Sequence, residues 1–114
     1  LKESKGLSLA FEFRHASWFD REICEILRKH GSALVVAHSQ RYPQAPFIPT
    51  ARFVYLRLHG PGALFASSYS LDQLRDWAAS VRTWIGSGRS VYVYFNNDFH
   101  GYAIENADTL AGLV

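Results

Sequence analysis

Charged and hydrogen-bonding side chains stand at the ends of short hydrophobic segments, which is where parallel β-strands carry functional groups. Five of them are Glu12, Arg14, Arg57, His59 and Asn96. Alternate side chains of a strand point to the same face, so Glu12 and Arg14 share a face, as do Arg57 and His59. Guanidinium forks suit carboxylate or phosphate groups, histidine exchanges a proton near neutral pH, and asparagine offers neutral hydrogen bonds. These types predict a site for a polar or anionic small molecule.

We predict two catalytic residues, His59 and Glu12, in the event that the protein is an enzyme. The predicted ligand-binding residues are Arg14, His15, Arg57, Asn96, Asn97 and Asp98. The residue types favour hydrolytic or acid-base chemistry, with His59 transferring the proton and Glu12 as its partner or as a metal ligand. The alternative without a ligand is an internal ion-pair network in which Glu12 neutralises Arg14 or Arg57.

A catalytic metal is a second hypothesis, because residues of suitable ligand type stand at separate strand ends. These are Glu12, His38, His59 and Asp98. Their spacing matches no metal motif, since neither HExxH nor paired cysteines occur in the sequence. Neither a glycine-rich phosphate loop nor a dinucleotide fingerprint is present. The sequence therefore identifies no cofactor and no metal ligand set.

A third hypothesis assigns aromatic residues of loops and strand ends to stacking on bases or sugars. The candidates are Trp18, Phe19, Tyr42, Phe47, Phe65, Tyr69, Phe99 and Tyr102. Together with the dispersed arginines they would form a non-catalytic nucleic-acid-binding module, which is the alternative to a small-molecule site. Twelve basic residues stand against ten acidic ones, for a net charge of +2. No basic stripe is visible, so nucleic acid is the less favoured partner.

The elements that must position these residues follow the order β-α-β-loop-β-α-β-α. Strands are predicted at residues 7–14, 33–38, 53–59 and 91–96, and a proline-containing loop at 39–50. A first helix, capped by Ser17 or Asp20, should end at Gly31, and a last helix is predicted around residues 107–114. Ser70 and Gln73 form a capping box before the central helix. The inner stripe predicted for that helix is Leu71, Leu74, Trp77, Ala78, Val81, Trp84 and Ile85.

Three stretches of the chain carry the strand ends discussed above. They are Glu12-Phe13-Arg14-His15-Ala16-Ser17-Trp18-Phe19, Tyr55-Leu56-Arg57-Leu58-His59-Gly60-Pro61 and Tyr92-Val93-Tyr94-Phe95-Asn96-Asn97-Asp98. In this order the chain closely resembles the domain of unknown function 72, or YecE-like, family. The resemblance implies an α/β fold, the carboxyl-terminal half of a (β/α)8 TIM-type barrel with about four parallel strands, and a family whose biochemical activity is not established. The family usually carries an Asp where this sequence has His38.

The chain of 114 residues is expected to be a single partial domain, residues 1–114, of a longer protein, because it opens at Leu1 and contains no Met. The residues predicted to face inward, beneath the polar strand ends, are Leu34, Val36, Tyr55, Tyr92 and Tyr94. Half a barrel would leave this face open to water, which favours association. We therefore expect the remainder of the barrel or a second copy to cover it.

Two features bear on the cellular setting. The longest apolar run, residues 33–37, is far shorter than the ~20 residues that span a bilayer, so no membrane partner is expected. The lone Cys24 has no internal disulfide partner and favours a reducing, cytoplasmic setting.

Overall fold

The computed structural model describes residues 7–18, 20–39, 47–62 and 67–114. Within them the chain forms parallel strands and helices in a mixed α/β arrangement. The strands are β1 (Ala10–Phe11), β2 (Ala33–Leu34), β3 (Val36–His38), β4 (Phe53–Leu58) and β5 (Ser90–Phe95). The helices are α1 (Arg21–Lys29), α2 (Leu71–Gly86) and α3 (Tyr102–Leu113), and short 3-10 turns occupy Ala16–Trp18 and Phe99–Gly101.

The strands pair in chain order, β1 with β2 and then β3 with β4 and β5, always in parallel. Only Val35 separates β2 from β3, and its N–H donates to the Phe11 carbonyl at 2.8 Å. The single strand predicted over residues 33–38 thus passes from pairing with β1 to pairing with β4. Because every strand runs the same way, all the carboxyl ends meet at one edge of the sheet.

The two faces of β4 and β5 separate as the alternation predicts. On one face, called here the helix face, Val54, Leu56 and Leu58 are buried with Val91 and Val93 packed beside them. The helix residues that cover this face are Leu74, Ala78, Val81 and Trp84 of α2 and Leu110 of α3. The opposite face, called here the open face, has no helix packed on it among the described residues. It carries Phe53, Tyr55 and Arg57 of β4 together with Tyr92 and Tyr94 of β5.

The inward assignment of Leu34 and Val36 is wrong. Leu34 packs with Cys24 and Leu27 of α1, and Val36 joins the core under α2, so both lie on the helix face. Val35 lines the open face instead. A strand that is covered on both sides is apolar at every position, so hydrophobicity alone does not reveal its phase. His38 was the only polar marker of that phase, and it also lies towards the helices.

The helix signals give the starts and ends of α1 and α2 closely. Asp20 accepts a hydrogen bond from the Ile23 N–H at 2.8 Å and so caps α1, and Gly31 follows this helix with the left-handed φ of 63°. Ser70 and Gln73 make both bonds of the capping box. The predicted inner stripe of α2 is too wide, because Leu71 and Ile85 are half exposed at its two ends.

The other boundaries differ more from the expectation. In the first segment only Ala10–Phe11 forms a strand, and α3 begins at Tyr102 rather than near residue 107. Residues 40–46 of the predicted loop lie outside the described residues. Thr50, at the return of this connection, donates to the Ser32 carbonyl at 2.7 Å and accepts from the Leu34 N–H at 3.1 Å. In the described part of the chain no helix has both the length and the apolar character that a membrane crossing requires.

Candidate functional site

Glu12, just beyond β1, lies at the centre of a polar cluster at the carboxyl edge of the sheet. Its Oε2 accepts hydrogen bonds from Arg14 Nη2 at 2.8 Å and Nε at 3.1 Å, and lies 3.6 Å from Arg57 Nη1. Its Oε1 lies 3.1 Å from His59 Nε2. Residues from two separated strand ends, β1 and β4, thus converge on one carboxylate. We call Glu12, Arg14, Arg57, His59 and Asn96 the Glu12 cluster.

Asn96, at the end of β5, joins the cluster through Arg57. Its side-chain oxygen accepts from Arg57 Nε at 3.1 Å and Nη2 at 2.7 Å, so one edge of the guanidinium group is fixed against β5. The remaining nitrogen, Nη1, faces Glu12. The alternation explains this meeting, because Arg57 is in register with Tyr94 and the side chain of Asn96 is next on the same face.

His59 is almost completely buried, with a relative exposure of 2%. Burial lowers the pKa of this imidazole, while the hydrogen bond and the charge of Glu12 raise it and the charges of Arg57 and Arg14 lower it further. His59 is therefore neutral at pH 7. A carboxylate can only accept, so the His59 Nε2 carries the hydrogen and donates it to Glu12. The cluster then contains one negative carboxylate and two positive guanidinium groups.

A depression of about 620 Å³ opens on the open face beside the cluster. Glu12 and Arg57 lie in its wall, and its floor carries aromatic side chains of β4 and β5, among them Tyr55 and Tyr92. The Tyr55 and Tyr94 rings lie nearly parallel at a centroid distance of 6.5 Å. Polar groups above an aromatic floor can bind a ligand that has a charged end and a less polar body.

Three predicted ligand-binding residues lie outside the cluster. His15 is exposed and its Nδ1 pairs with Ser17 Oγ at 2.8 Å inside the first 3-10 turn. Asn97 points away from the open face and is completely buried, and its amide donates to Ser67 O at 2.8 Å and to Asn106 Oδ1 at 2.7 Å. Asp98 is exposed before the second 3-10 turn. Adjacent asparagines look alike in sequence, but alternation sends their side chains to opposite faces.

The four residues of the metal hypothesis do not come together. Glu12 and His59 are in contact, whereas His38 Nδ1 lies 2.9 Å from Tyr69 Oη and its ring contacts Trp77 on the helix face. Asp98 is exposed beyond β5. Among the described residues no group of three or more His, Cys, Asp or Glu side chains has the proximity that a metal ion needs.

Of the described aromatic candidates, Phe47 and Tyr69 pack with the core, whereas Trp18 and Phe99 are about half exposed. Trp18 stacks on Phe13 at 4.9 Å, Phe47 lies against Trp84 at 5.2 Å, and Tyr69 is buried. Phe99 and Tyr102 both contact the His100 ring. Phe19, Tyr42 and Phe65 lie outside the described residues.

Two buried polar residues were missed as structural anchors. The sequence places Tyr69 among the aromatics of loops and strand ends, whereas in the structure its hydroxyl accepts a hydrogen bond from the Gly60 N–H at 2.9 Å. Asn106 accepts the Tyr69 backbone N–H at 3.0 Å. A signal existed for Asn106, because it precedes Leu110 and Leu113 at helical spacing and so occupies an apolar stripe. A polar residue in such a stripe normally has a buried hydrogen-bond partner.

Comparison with known proteins identifies the chain's relatives. The family model described as "Protein of unknown function DUF72" matches residues 1–114. The chain belongs to the DUF72 family. Among solved structures, a DUF72 protein from Thermotoga maritima MSB8 is 31% identical with a TM-score of 0.86, over 98% of this chain and 48% of its own. A DUF72 protein from Enterococcus faecalis V583 is 23% identical with a TM-score of 0.83, over 96% of this chain and 48% of its own.

The likeness to the Enterococcus faecalis protein supports the fold alone at that identity. This DUF72 chain spans about half the length of both solved relatives. Among curated proteins, none matches the chain significantly.

Proposed function

We propose that the Glu12 cluster of this DUF72 protein binds an anionic small molecule at the carboxyl ends of its strands. The observation that supports this proposal is the guanidinium group of Arg57, which lines the depression, is oriented by Asn96 and lies 3.6 Å from Glu12 Oε2. A guanidinium group held in this way at the wall of a depression can bind a further anion through charge-assisted hydrogen bonds. A carboxylate or phosphate ligand has the charge and the oxygen atoms that suit it.

Arg57 is the residue proposed to hold the anion. Asn96 occupies its Nε and Nη2 edge, so the orientation of the guanidinium plane is set before a ligand arrives. Preorganisation of this kind lowers the entropic cost of binding. A planar fork suits the two oxygens of a carboxylate or phosphate, which a lysine ammonium group matches less well. Arg14, more exposed at the rim, would add a second positive charge.

The proposed setting of this site is the mouth of a (β/α)8 barrel, of which the chain would be the carboxyl-terminal half. Its solved relatives are about twice as long, and Tyr92 and Tyr94 of the open face are 56% and 57% exposed in the chain alone. In a complete barrel these rings would be inside, covered by the other half, and the strand ends would form the ligand-binding rim.

Acid-base chemistry on the bound ligand extends the proposal. Glu12 lines the depression, while His59 is buried behind it and donates a hydrogen bond to the carboxylate. Glu12 is therefore the group that a ligand in the depression can contact. His59 is the group that would exchange a proton with Glu12. Hydrolysis or a proton transfer next to the anionic group of the ligand are the reactions that this arrangement suits.

The proposal is tested by titrating the full-length protein with inorganic phosphate and with acetate in a calorimeter. Arg57→Ala should weaken binding about 10- to 100-fold, the loss expected for a charged hydrogen bond, and Arg57→Lys should restore only part of it. Arg75→Ala is the matched control, since Arg75 is exposed on α2 and pairs only with Asp72 among the described residues.

Two results would contradict the proposal. If Arg57→Ala unfolds the protein while each folded molecule still binds phosphate, the cluster is an internal ion-pair network. If a single-stranded oligonucleotide binds through Arg57 with a salt slope of about one log unit per phosphate contacted, the ligand is a nucleic acid.

A further inference from the structure

Tyr69 occupies a junction between the ends of β3 and β4 and the start of α2. It is buried, and its Oη lies 2.9 Å from both the Gly60 N and the His38 Nδ1. His38 ends β3, and Gly60 is the second residue after β4. None of the roles considered for the Glu12 cluster uses this hydroxyl.

The directions of the two hydrogen bonds follow from the donors. The Gly60 N–H can only donate, so the Tyr69 oxygen accepts it. Among the described residues His38 Nδ1 is the one acceptor within reach of the phenol hydrogen, so we assign that hydrogen to the bond with His38. His38 is then the neutral tautomer with its hydrogen on Nε2. Burial lowers the pKa of His38, the charge of a protonated His59 would lower it further, and burial raises the pKa of Tyr69, so both groups are neutral at pH 7.

The bond to Gly60 holds the backbone directly after His59. At this point β4 leaves the sheet: the His59 N–H still donates to the His38 carbonyl at 2.9 Å, but the Gly60 N–H donates to Tyr69 instead of to a strand. Gly60 has a φ of 115°, which a residue with a Cβ rarely adopts. The turn after His59 is thus defined by a glycine conformation and by one side-chain hydroxyl.

Tyr69 is itself anchored beside the end of β5, at the same edge of the sheet as the Glu12 cluster. Its backbone N–H donates to Asn106 Oδ1 at 3.0 Å, and the same oxygen accepts Asn97 Nδ2 at 2.7 Å. Asn97 follows Asn96 directly. A continuous set of buried hydrogen bonds therefore connects the residue after His59 with the residue after Asn96.

We propose that Tyr69 is a positioning residue of the Glu12 cluster, holding Gly60 so that the His59 imidazole reaches Glu12 while Asn96 reaches Arg57. This inference rests on the proposed anion-binding function. Tyr69 lies on the helix face and does not contact the ligand. Its loss should change the geometry of the cluster rather than its composition.

The test is Tyr69→Phe in the full-length protein, which removes one oxygen and keeps the ring. Phosphate affinity should fall about tenfold, the loss typical of one misplaced charged contact. The imidazole nitrogen signals of His38 and His59 should both shift in NMR spectra, because His38 loses its donor and the turn after His59 loses its anchor. Tyr102→Phe is the control, since no hydrogen bond of the Tyr102 hydroxyl exists among the described residues, and it should change none of these signals.

A second pair of variants covers the case in which Tyr69→Phe fails to fold. His38→Asn retains an acceptor for the Tyr69 hydroxyl and should leave the His59 signals and phosphate affinity close to wild type. His38→Leu removes the acceptor and should shift the His59 signals and weaken binding. Equal behaviour of the Asn and Leu variants would overturn the inference.

The outcomes separate the two proposals. If the wild-type protein does not bind phosphate or acetate, the proposed function fails, and the nitrogen signals alone decide on Tyr69. If the wild-type protein binds and Tyr69→Phe retains both its affinity and its His59 signals, Tyr69 has no positioning role. A lower melting temperature with unchanged His59 signals would likewise reduce Tyr69 to a stabilising residue and overturn the proposal.

Discussion

Arg57 and Asn96 are joined across neighbouring strands by two hydrogen bonds to a single oxygen, at 3.1 and 2.7 Å. The contact is between a cation and a neutral amide, so it orients the guanidinium group without neutralising it. A carboxylate in the same place would do both. Substitutions at Asn96 can therefore test the charge beside Arg57 separately from the orientation of its guanidinium group.

Asn96→Asp should abolish the binding of inorganic phosphate while leaving the fold intact. The aspartate keeps the acceptor for Arg57 but adds the negative charge that the ligand is proposed to supply. Asn96→Ala should weaken binding less, since Arg57 keeps its charge and loses only its orientation. Calorimetric titration with phosphate measures both variants. Equal phosphate affinities of wild type and Asn96→Asp would show that the anion does not bind at Arg57.

Acidification should destabilise the protein through His38 and His59. Burial lowers the pKa of both below the ordinary value of 6.5, so between their folded pKa values and 6.5 the unfolded chain binds more protons. The free energy of unfolding therefore rises as the pH rises through this window and is fully regained above 6.5. Below the folded pKa values it becomes level again. Denaturant melts at a series of pH values measure the slope.

Single-residue variants show how much each of the two histidines contributes to this pH dependence. His38→Asn and His59→Gln should each flatten the curve, by about 1.4 kcal/mol for every unit by which the native pKa lies below 6.5. Leu71→Ala, which replaces no titratable group, is the control and should keep the slope. A slope that survives both buried replacements would have to come from other groups.

Leu56 in β4 should contribute far more to stability than Leu71 at the start of α2. Leu56 of β4 is completely buried under α2, so Leu56→Ala should lower the free energy of unfolding by about 2–5 kcal/mol. Leu71 is half exposed, and Leu71→Ala should cost less than about 1 kcal/mol. Denaturant unfolding compares the two. A larger loss at Leu71 would restore the wider apolar stripe predicted from sequence.

The isolated segment of residues 1–114 should associate in solution. Its open face presents Tyr92 and Tyr94 to water beside an aromatic depression, a surface that a complete barrel would cover. Sedimentation should therefore find oligomers, and Tyr94→Lys should shift the distribution towards monomer. A wild-type segment that is monomeric and melts in one sharp transition would contradict the half-barrel proposal.

Much of the architecture follows from local patterns in the sequence. In β4 apolar residues alternate with Tyr55 and Arg57, so its two faces could be read directly, and the Ser70–Gln73 capping box located the start of α2. In residues 33–38 the same reasoning failed, because burial on both faces removes the alternation. There the sequence predicts that Leu34 and Val36 face inward, whereas Tyr69, a partner in a distant segment, accounts for the position of His38 on the helix face.

The candidate site also has a part that local patterns predict and a part that they do not. Glu12, Arg57 and Asn96 could be grouped from their phase and their strand-end positions, since these are local properties in a parallel sheet. The burial of Asn97 depends on Asn106 in α3, and the role of Tyr69 depends on Gly60 and His38. Contacts of that kind join residues far apart in the chain, and no spacing rule encodes them.

Thr50 anchors the chain just before β4, the strand that carries Arg57 to the carboxyl edge of the sheet. By bonding both Ser32 and Leu34 it fixes the point at which the chain returns to the sheet, and Arg28 adds a contact to the Pro49 carbonyl at 3.4 Å. β4 begins three residues after Thr50, so this anchor lies close to the point from which the strand carries Arg57 to the carboxyl edge. Thr50 is therefore a natural junction for chimeras between homologues, because an exchange that ends before it keeps the anchor of the strand that holds the arginine.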